Sequence, residues 1–176
     1  MAIDIFDSSP IEIISVDSVM VYSDCNIGSA KPSKDILKKY PHHLVDCVKP
    51  DSIFTVSDFY RNSIKLIDSI HRRKKVPVFV GGTMMYFKSL LNGLDDLPER
   101  DDAIRKKYEK IKTQKGIKEL HSMLSSKDEA YANQINQLDE QRIIRALEVI
   151  DISGKPLSAQ LGLKNKMCLS DKFNIH

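Results

Sequence analysis

Two short runs of mostly β-branched apolar residues, Ile11-Glu12-Ile13-Ile14-Ser15-Val16 and Val76-Pro77-Val78-Phe79-Val80, constrain the fold most. Runs of this length and near-continuity read as strands buried on both faces, the habit of parallel sheets. The first stops at Asp17-Ser18 and the second at Gly81-Gly82-Thr83. Between them, Ser57 to Lys75 sets Phe59, Ile64, Ile67 and Ile70 near helical spacing and ends on Arg72-Arg73-Lys74-Lys75, a basic helix C-terminus. A strand, crossover, helix, strand order makes parallel neighbours, and such crossovers are right-handed in nearly every case. The fold class is α/β.

After Leu94-Asp95-Asp96-Leu97-Pro98 the pattern becomes helical through Gly154. Asp101 or Asp102 can cap a helix bearing Ile104, Tyr108 and Ile111, which Lys115-Gly116 ends. Ile117, Leu120 and Leu124 mark a second helix, and Asp128 to Ile135 a short third. Asp139 caps a fourth, with Ile143, Ile144, Leu147 and Ile150 as its apolar stripe and Gln141, Arg142, Arg145 and Glu148 on other faces. The expected organisation is an α/β core over 1–98, an inserted all-helical subdomain over 99–158, and a return toward the core over 159–176. Met1 to Phe6 resembles the tail of a helix, and Lys172 to His176 the opening of a strand. Both ends thus look cut, although composition alone favours frayed termini.

Composition removes several classes. No apolar run approaches the roughly 20 residues of a membrane span, and the start resembles no secretory leader. Cys25, Cys47 and Cys168 are too scattered for a disulfide scaffold or a zinc site, which fits a cytoplasmic protein. The formal charge of +3 is too small to demand a nucleic-acid partner, so any such partner must be argued from particular residues.

Ligands of open parallel sheets sit at the carboxyl ends of the strands. Asp17 there can accept a proton or a hydrogen bond from a substrate amine, or it can cap a turn. Gly81 and Gly82 let backbone approach a ligand, and Thr83 with the N–H groups of the helix behind it suits phosphate oxygens; an ordinary helix cap is the alternative. Asn26 to Pro32 is a turn-rich loop with one lysine, Lys31. His42 and His43 are neighbours on opposite strand faces, a poor arrangement for one metal. Gln141 and Arg145, four apart, share a helix face that can grip phosphates, unless Glu148 pairs with Arg145 locally.

Taken together, Ile14 to Ser18 with Val21-Tyr22, Ile27 to Pro32, Pro41 to Leu44, Val80 to Thr83 with Tyr86, Gln141 to Val149, and Ser153 to Lys155 strongly resemble the bacterial tRNA dimethylallyltransferase family. The resemblance covers about Ala2 to Ser158. It implies a P-loop-NTPase-like parallel core and transfer of a dimethylallyl group from dimethylallyl diphosphate to N6 of the adenosine 3′-adjacent to the anticodon. It implies that Asp17 is the general base and that Thr83 sits at the reaction centre. Substrate tRNA would lie along Asp17, Ser18, Val19, Met20 and Thr83, and along Arg105, Gln141, Arg142, Ile143, Ile144 and Arg145. Gly81 and Gly82 would border the diphosphate. Partners would be tRNA and dimethylallyl diphosphate, with no membrane, and the protein would be a monomer.

Two departures shape the expectation. Met20 stands where many relatives carry Gln. Relatives also begin with a strand and a loop of the form G-x-x-x-x-G-K-[ST], whose N–H groups and Lys hold phosphates and whose hydroxyl helps hold Mg²⁺. Residues 1–176 contain no such sequence. The first strand and phosphate loop are thus expected to be missing, Mg²⁺ is implied by the family alone with no metal ligand in this chain, and little transfer is expected from these residues by themselves. The alternatives are a non-catalytic RNA-binding remnant and an isopentenyltransferase acting on a free adenine nucleotide. Replacing Arg142 and Arg145 is expected to weaken tRNA binding and hardly to alter folding.

Overall fold

The computed structural model describes residues 6–7, 9–162 and 169. The expectations for Met1 to Ile5 and for Lys172 to His176 lie outside the described residues. The described chain forms two compact units, divided at Gly93/Leu94.

In the first unit, strands β1 (Ile11–Val16), β2 (His42–His43) and β3 (Val76–Gly81) form a parallel sheet in the order β2-β1-β3. β1 pairs with β3 from Ile11↔Val76 to Val16↔Gly81, and with β2 at Ile13↔His42 and Ile14↔His43. Helix α1 (Lys34–Lys39) precedes β2; α2 (Val56–Arg72) joins β2 to β3; α3 (Met84–Asn92) follows β3. A capping box starts α2: the Asp58 backbone N–H donates to the Thr55 hydroxyl, and the Thr55 N–H donates to the Asp58 carboxylate. Ile13, Ile14 and Val16 of β1 are fully buried, with Phe59, Ile67 and Ile70 of α2 and Leu90 of α3 in the same core.

Sequence reasoning expected β3 to be buried like β1, and it is not. Val76 is 56% exposed and Val80 37%, because β3 is the last strand in the order and among the described residues only β1 pairs with it. An edge strand retains the β-branched composition of a central one, so composition does not separate the two.

The second unit holds α4 (Asp102–Lys115), α5 (Ile117–Lys127), α6 (Glu129–Ala132) and α7 (Glu140–Ser153). Asp101, Asp128 and Asp139 each cap the following helix with a side-chain oxygen, and Gly154 ends α7 in the left-handed conformation at φ 69°. The core joins Tyr108, Leu120, Leu124, Ile143, Leu147 and Ile150. Leu97 packs on this cluster and the Pro98 carbonyl accepts from Arg145 Nη2 at 2.7 Å, so the segment before α4 belongs with the helices.

Candidate functional site

The carboxyl ends of β1 and β3 are drawn together by backbone. The Thr83 N–H donates to the Val16 carbonyl at 3.1 Å. A Cβ on Gly81 would stand 2.2 Å from that carbonyl oxygen, so glycine is required for this close approach. Gly81 thus serves strand contact, whereas a Cβ on Gly82 would meet nothing within 4 Å.

Thr83 is the N-cap residue of α3, yet its hydroxyl does not cap the helix. It accepts the Ser18 N–H at 3.1 Å and lies 3.5 Å from the Ser18 hydroxyl. The ordinary helix-cap alternative for Thr83 is therefore not what forms; its side chain ties the two strand ends.

Asp17 Oδ1 accepts the N–H groups of Val19 at 2.8 Å and Met20 at 3.0 Å, which folds Asp17 to Met20 into a tight turn. Among the described residues Oδ2 has no hydrogen-bond partner. The carboxylate is thereby oriented through one oxygen. Ser18 and Val19 are exposed, Val19 at 47%. Met20 is not merely an apolar replacement for an amide: its sulfur lies 3.8 Å from the buried Ser15 hydroxyl.

Behind the turn stand groups to which sequence reasoning gave no role. Tyr86 is buried and stacked on Phe59, with centroids 4.1 Å apart. Burial pushes its phenol up to about 12, with the nearby Tyr22, Asp17 and Asp58 adding to the shift, so it stays protonated beside the site. The Tyr22 hydroxyl accepts the Phe54 N–H at 3.1 Å. Lys31, 3% exposed, donates to the Tyr22 carbonyl at 2.8 Å, Asn26 Oδ1 at 3.2 Å and Asp46 Oδ1 at 2.6 Å. Asp46 in turn donates its N–H to the Met20 carbonyl at 3.1 Å, so the buried lysine secures the end of the Asp17 turn. The pairing of a lone Lys in a turn-rich loop with an Asp fifteen residues on has no short-range signature.

His42 and His43 do not converge. His42 Nδ1 contacts the Tyr40 carbonyl and His43 Nε2 contacts Glu12, each within its own hydrogen bond. Glu12 also receives Arg73 through Nε and Nη2 at 2.8 and 2.7 Å. The Arg73 hydrogen bonds, then His43 and the charge of Lys75, hold the Glu12 carboxyl down at about 2 against the opposing effect of burial.

The helical unit corrects two readings. Glu148, assigned to an outer face of α7, is 0% exposed. It accepts the Asp101 N–H at 2.7 Å, Arg105 Nε at 3.0 Å, Arg105 Nη2 at 3.1 Å and Arg145 Nη1 at 2.7 Å. These bonds hold its carboxyl below the usual range although burial pushes the other way. Arg145 and Arg105 are thus partners of a buried carboxylate, and removing Arg145 cannot leave folding nearly unaltered. Ile143 and Ile144 are 0% and 4% exposed, so their side chains belong to the core of the helical unit. Gln141 and Arg142 are exposed; Arg142 pairs with Asp139 of its own helix start.

Among the described residues no group of three or more His, Cys, Asp or Glu side chains could hold a metal ion.

The first unit is thus an open parallel sheet carrying Asp17 and the Thr83 hydroxyl at its carboxyl edge, and the second a helical unit bearing arginines. Residues 20–175 match the IPP transferase family, and the chain belongs to it. A tRNA dimethylallyltransferase of Psychrobacter sp. (strain PRwf-1) is 43% identical over 171 residues, 97% of this chain and 47% of that protein. One of Nitrosomonas europaea is 45% identical over 161 residues, 92% of this chain and 51% of that protein. The chain spans about half the length of these relatives. Among solved structures, the full-length tRNA isopentenylpyrophosphate transferase of Bacillus halodurans matches 88% of this chain and 52% of its own, with TM-score 0.52 and 34% identity. A eukaryotic dimethylallyltransferase acting on tRNA matches 93% of this chain and 41% of its own, with TM-score 0.75 and 25% identity. The core is accordingly the P-loop-NTPase-like α/β fold of this family.

Proposed function

We propose that this chain supplies the acceptor side of a dimethylallyl transfer from dimethylallyl diphosphate to N6 of the adenosine next to the anticodon of tRNA. The observation that carries the reading is the strand-end junction: the Thr83 hydroxyl on the Ser18 N–H, with Asp17 oriented by one oxygen beside it. An aromatic exocyclic amine is a weak nucleophile. As N6 forms its bond to the allylic carbon and the carbon–oxygen bond to diphosphate breaks, Asp17 Oδ2 takes the proton that N6 loses. The Asp17–Met20 turn and Thr83 hold the acceptor in place. The adenine must leave its stack to reach the strand edge, and the exposed Ser18 and Val19 offer a surface for it. Gln141 and Arg142 of the helical unit, exposed at the start of α7, supply RNA contacts, with Arg105 and Arg145 beside them. The protein works in the cytoplasm as a monomer, and Mg²⁺ belongs to the diphosphate side of the reaction.

The test is a chimera in which this chain replaces the matched half of the Nitrosomonas europaea relative, assayed for label transfer from dimethylallyl diphosphate. The expected result is transfer to tRNA, with little from the 176-residue chain alone. Label passing to a free adenine nucleotide and not to tRNA would overturn the substrate. No transfer from a folded chimera would overturn the activity.

A further inference from the structure

The Glu148 cluster sets one buried carboxylate between two partly exposed guanidiniums. Glu148 pairs with Arg105 and Arg145, and Asp101 and Asp102 stand beside it at the start of α4. Asp102 pairs with Arg100 at 2.7 Å and also feels the charge of Arg105. The guanidiniums are 25% and 31% exposed while the carboxylate between them is 0% exposed. A guanidinium has five N–H donors. Arg105 engages Nε and Nη2, and Arg145 engages Nη1 with Glu148 and Nη2 with the Pro98 carbonyl. Donors remain on both for an outside acceptor. Replacing a buried ion cluster by apolar side chains of similar volume is often neutral or stabilising, so stability is a weak reason for this one.

We infer that Glu148 is a positioning residue for RNA: it holds the Arg105 and Arg145 guanidiniums side by side as one preformed clamp for a backbone phosphate. This rests on the reading of tRNA as the substrate. Long cationic side chains lose rotamer freedom when they meet a phosphate, and that cost weakens binding. Here the ordering is done on folding, by four hydrogen bonds to one carboxylate from Asp101, Arg105 and Arg145. Glu148 itself, fully buried, touches no RNA.

The two accounts of Glu148 differ in sign. If only net charge mattered, Glu148→Gln would add a positive charge and tighten RNA binding. A positioning role gives weaker binding in spite of the added charge. The experiment measures binding of an unmodified tRNA anticodon stem-loop to the 176-residue chain over a salt series, with melting temperatures alongside. E148Q is expected to bind about tenfold more weakly, with a log–log salt slope shallower by about one phosphate contact. E148D keeps the charge, retracts the carboxylate by one methylene and should also weaken binding, by about threefold or more. It decides the matter if E148Q does not fold. Equal or tighter binding with a lowered melting temperature would overturn the positioning role and leave the tRNA reading standing. Absence of stem-loop binding by the unmutated chain would overturn both.

Discussion

The strand edge and the helical unit handle charge in opposite ways. At the edge, Asp17 is held by two backbone N–H groups and Thr83 by one, and Ser18 and Val19 stand exposed. In the helical unit the arginines are drawn inward, because a buried Glu148 takes hydrogen bonds from Arg105, Arg145 and the Asp101 N–H. The first arrangement orients a carboxylate at little structural cost. The second ties Arg105 and Arg145 to folding, so their substitution cannot report on RNA binding alone.

The contrast can be broken most forcefully at Glu148. Arg105→Ala with Arg145→Ala leaves a fully buried carboxylate with one backbone donor, and should cost about 3–5 kcal/mol of unfolding free energy in a denaturant titration. A loss below about 1 kcal/mol, the range of surface pairs, would show that the cluster is solvated.

Within the strand edge, the two glycines sharpen the comparison. Gly81→Ala drives a Cβ into the Val16 carbonyl and should destabilise by about 2 kcal/mol or more, while Gly82→Ala, facing open space, should stay within about 0.5 kcal/mol. Equal effects would mean that the strand ends do not meet so closely.

A pH series separates buried from exposed ion pairs. Glu12 has its folded pKa depressed from 4.5 to about 2, so it contributes stability above the unfolded value that is lost as pH falls from about 4.5 toward 2. Glu12→Gln should remove that part of the acid slope, visible as a flatter fall of melting temperature with pH. An unchanged slope would mean Arg73 does not hold the carboxylate. Arg142→Ala, which breaks an exposed pair with Asp139, should change stability by less than about 0.5 kcal/mol.

Much of this was readable before any coordinates. β1 and β3 announce themselves by composition, α2 by its apolar spacing, and the helical unit by Asp101, Asp128, Asp139, Gly116 and Gly154 at its boundaries. β2 and α1 were not readable: β2 is two residues whose state is set by pairing with Ile13 and Ile14, and α1 is a six-residue helix with no buried residue. The exposure of β3 depends on its place in the sheet, which composition does not encode. At the site, local motifs located Asp17 and Thr83, but not what their side chains bond. The pairing of Glu148 with Arg145 was open to the sequence and forms, but the burial of Glu148 was not, because its other side-chain partner, Arg105, lies 43 residues away.

The central claim is that Asp17, oriented by the turn it caps, receives the proton of the acceptor amine. Asn at this position keeps an oxygen for the Val19 and Met20 N–H groups and removes the base. Single-turnover transfer in the chimera, comparing Asp17 with Asp17→Asn, should fall by about 10² to 10⁴ at unchanged tRNA affinity. A rate for the Asn variant within about threefold of the parent, well short of the loss of a positioned base, would contradict the account.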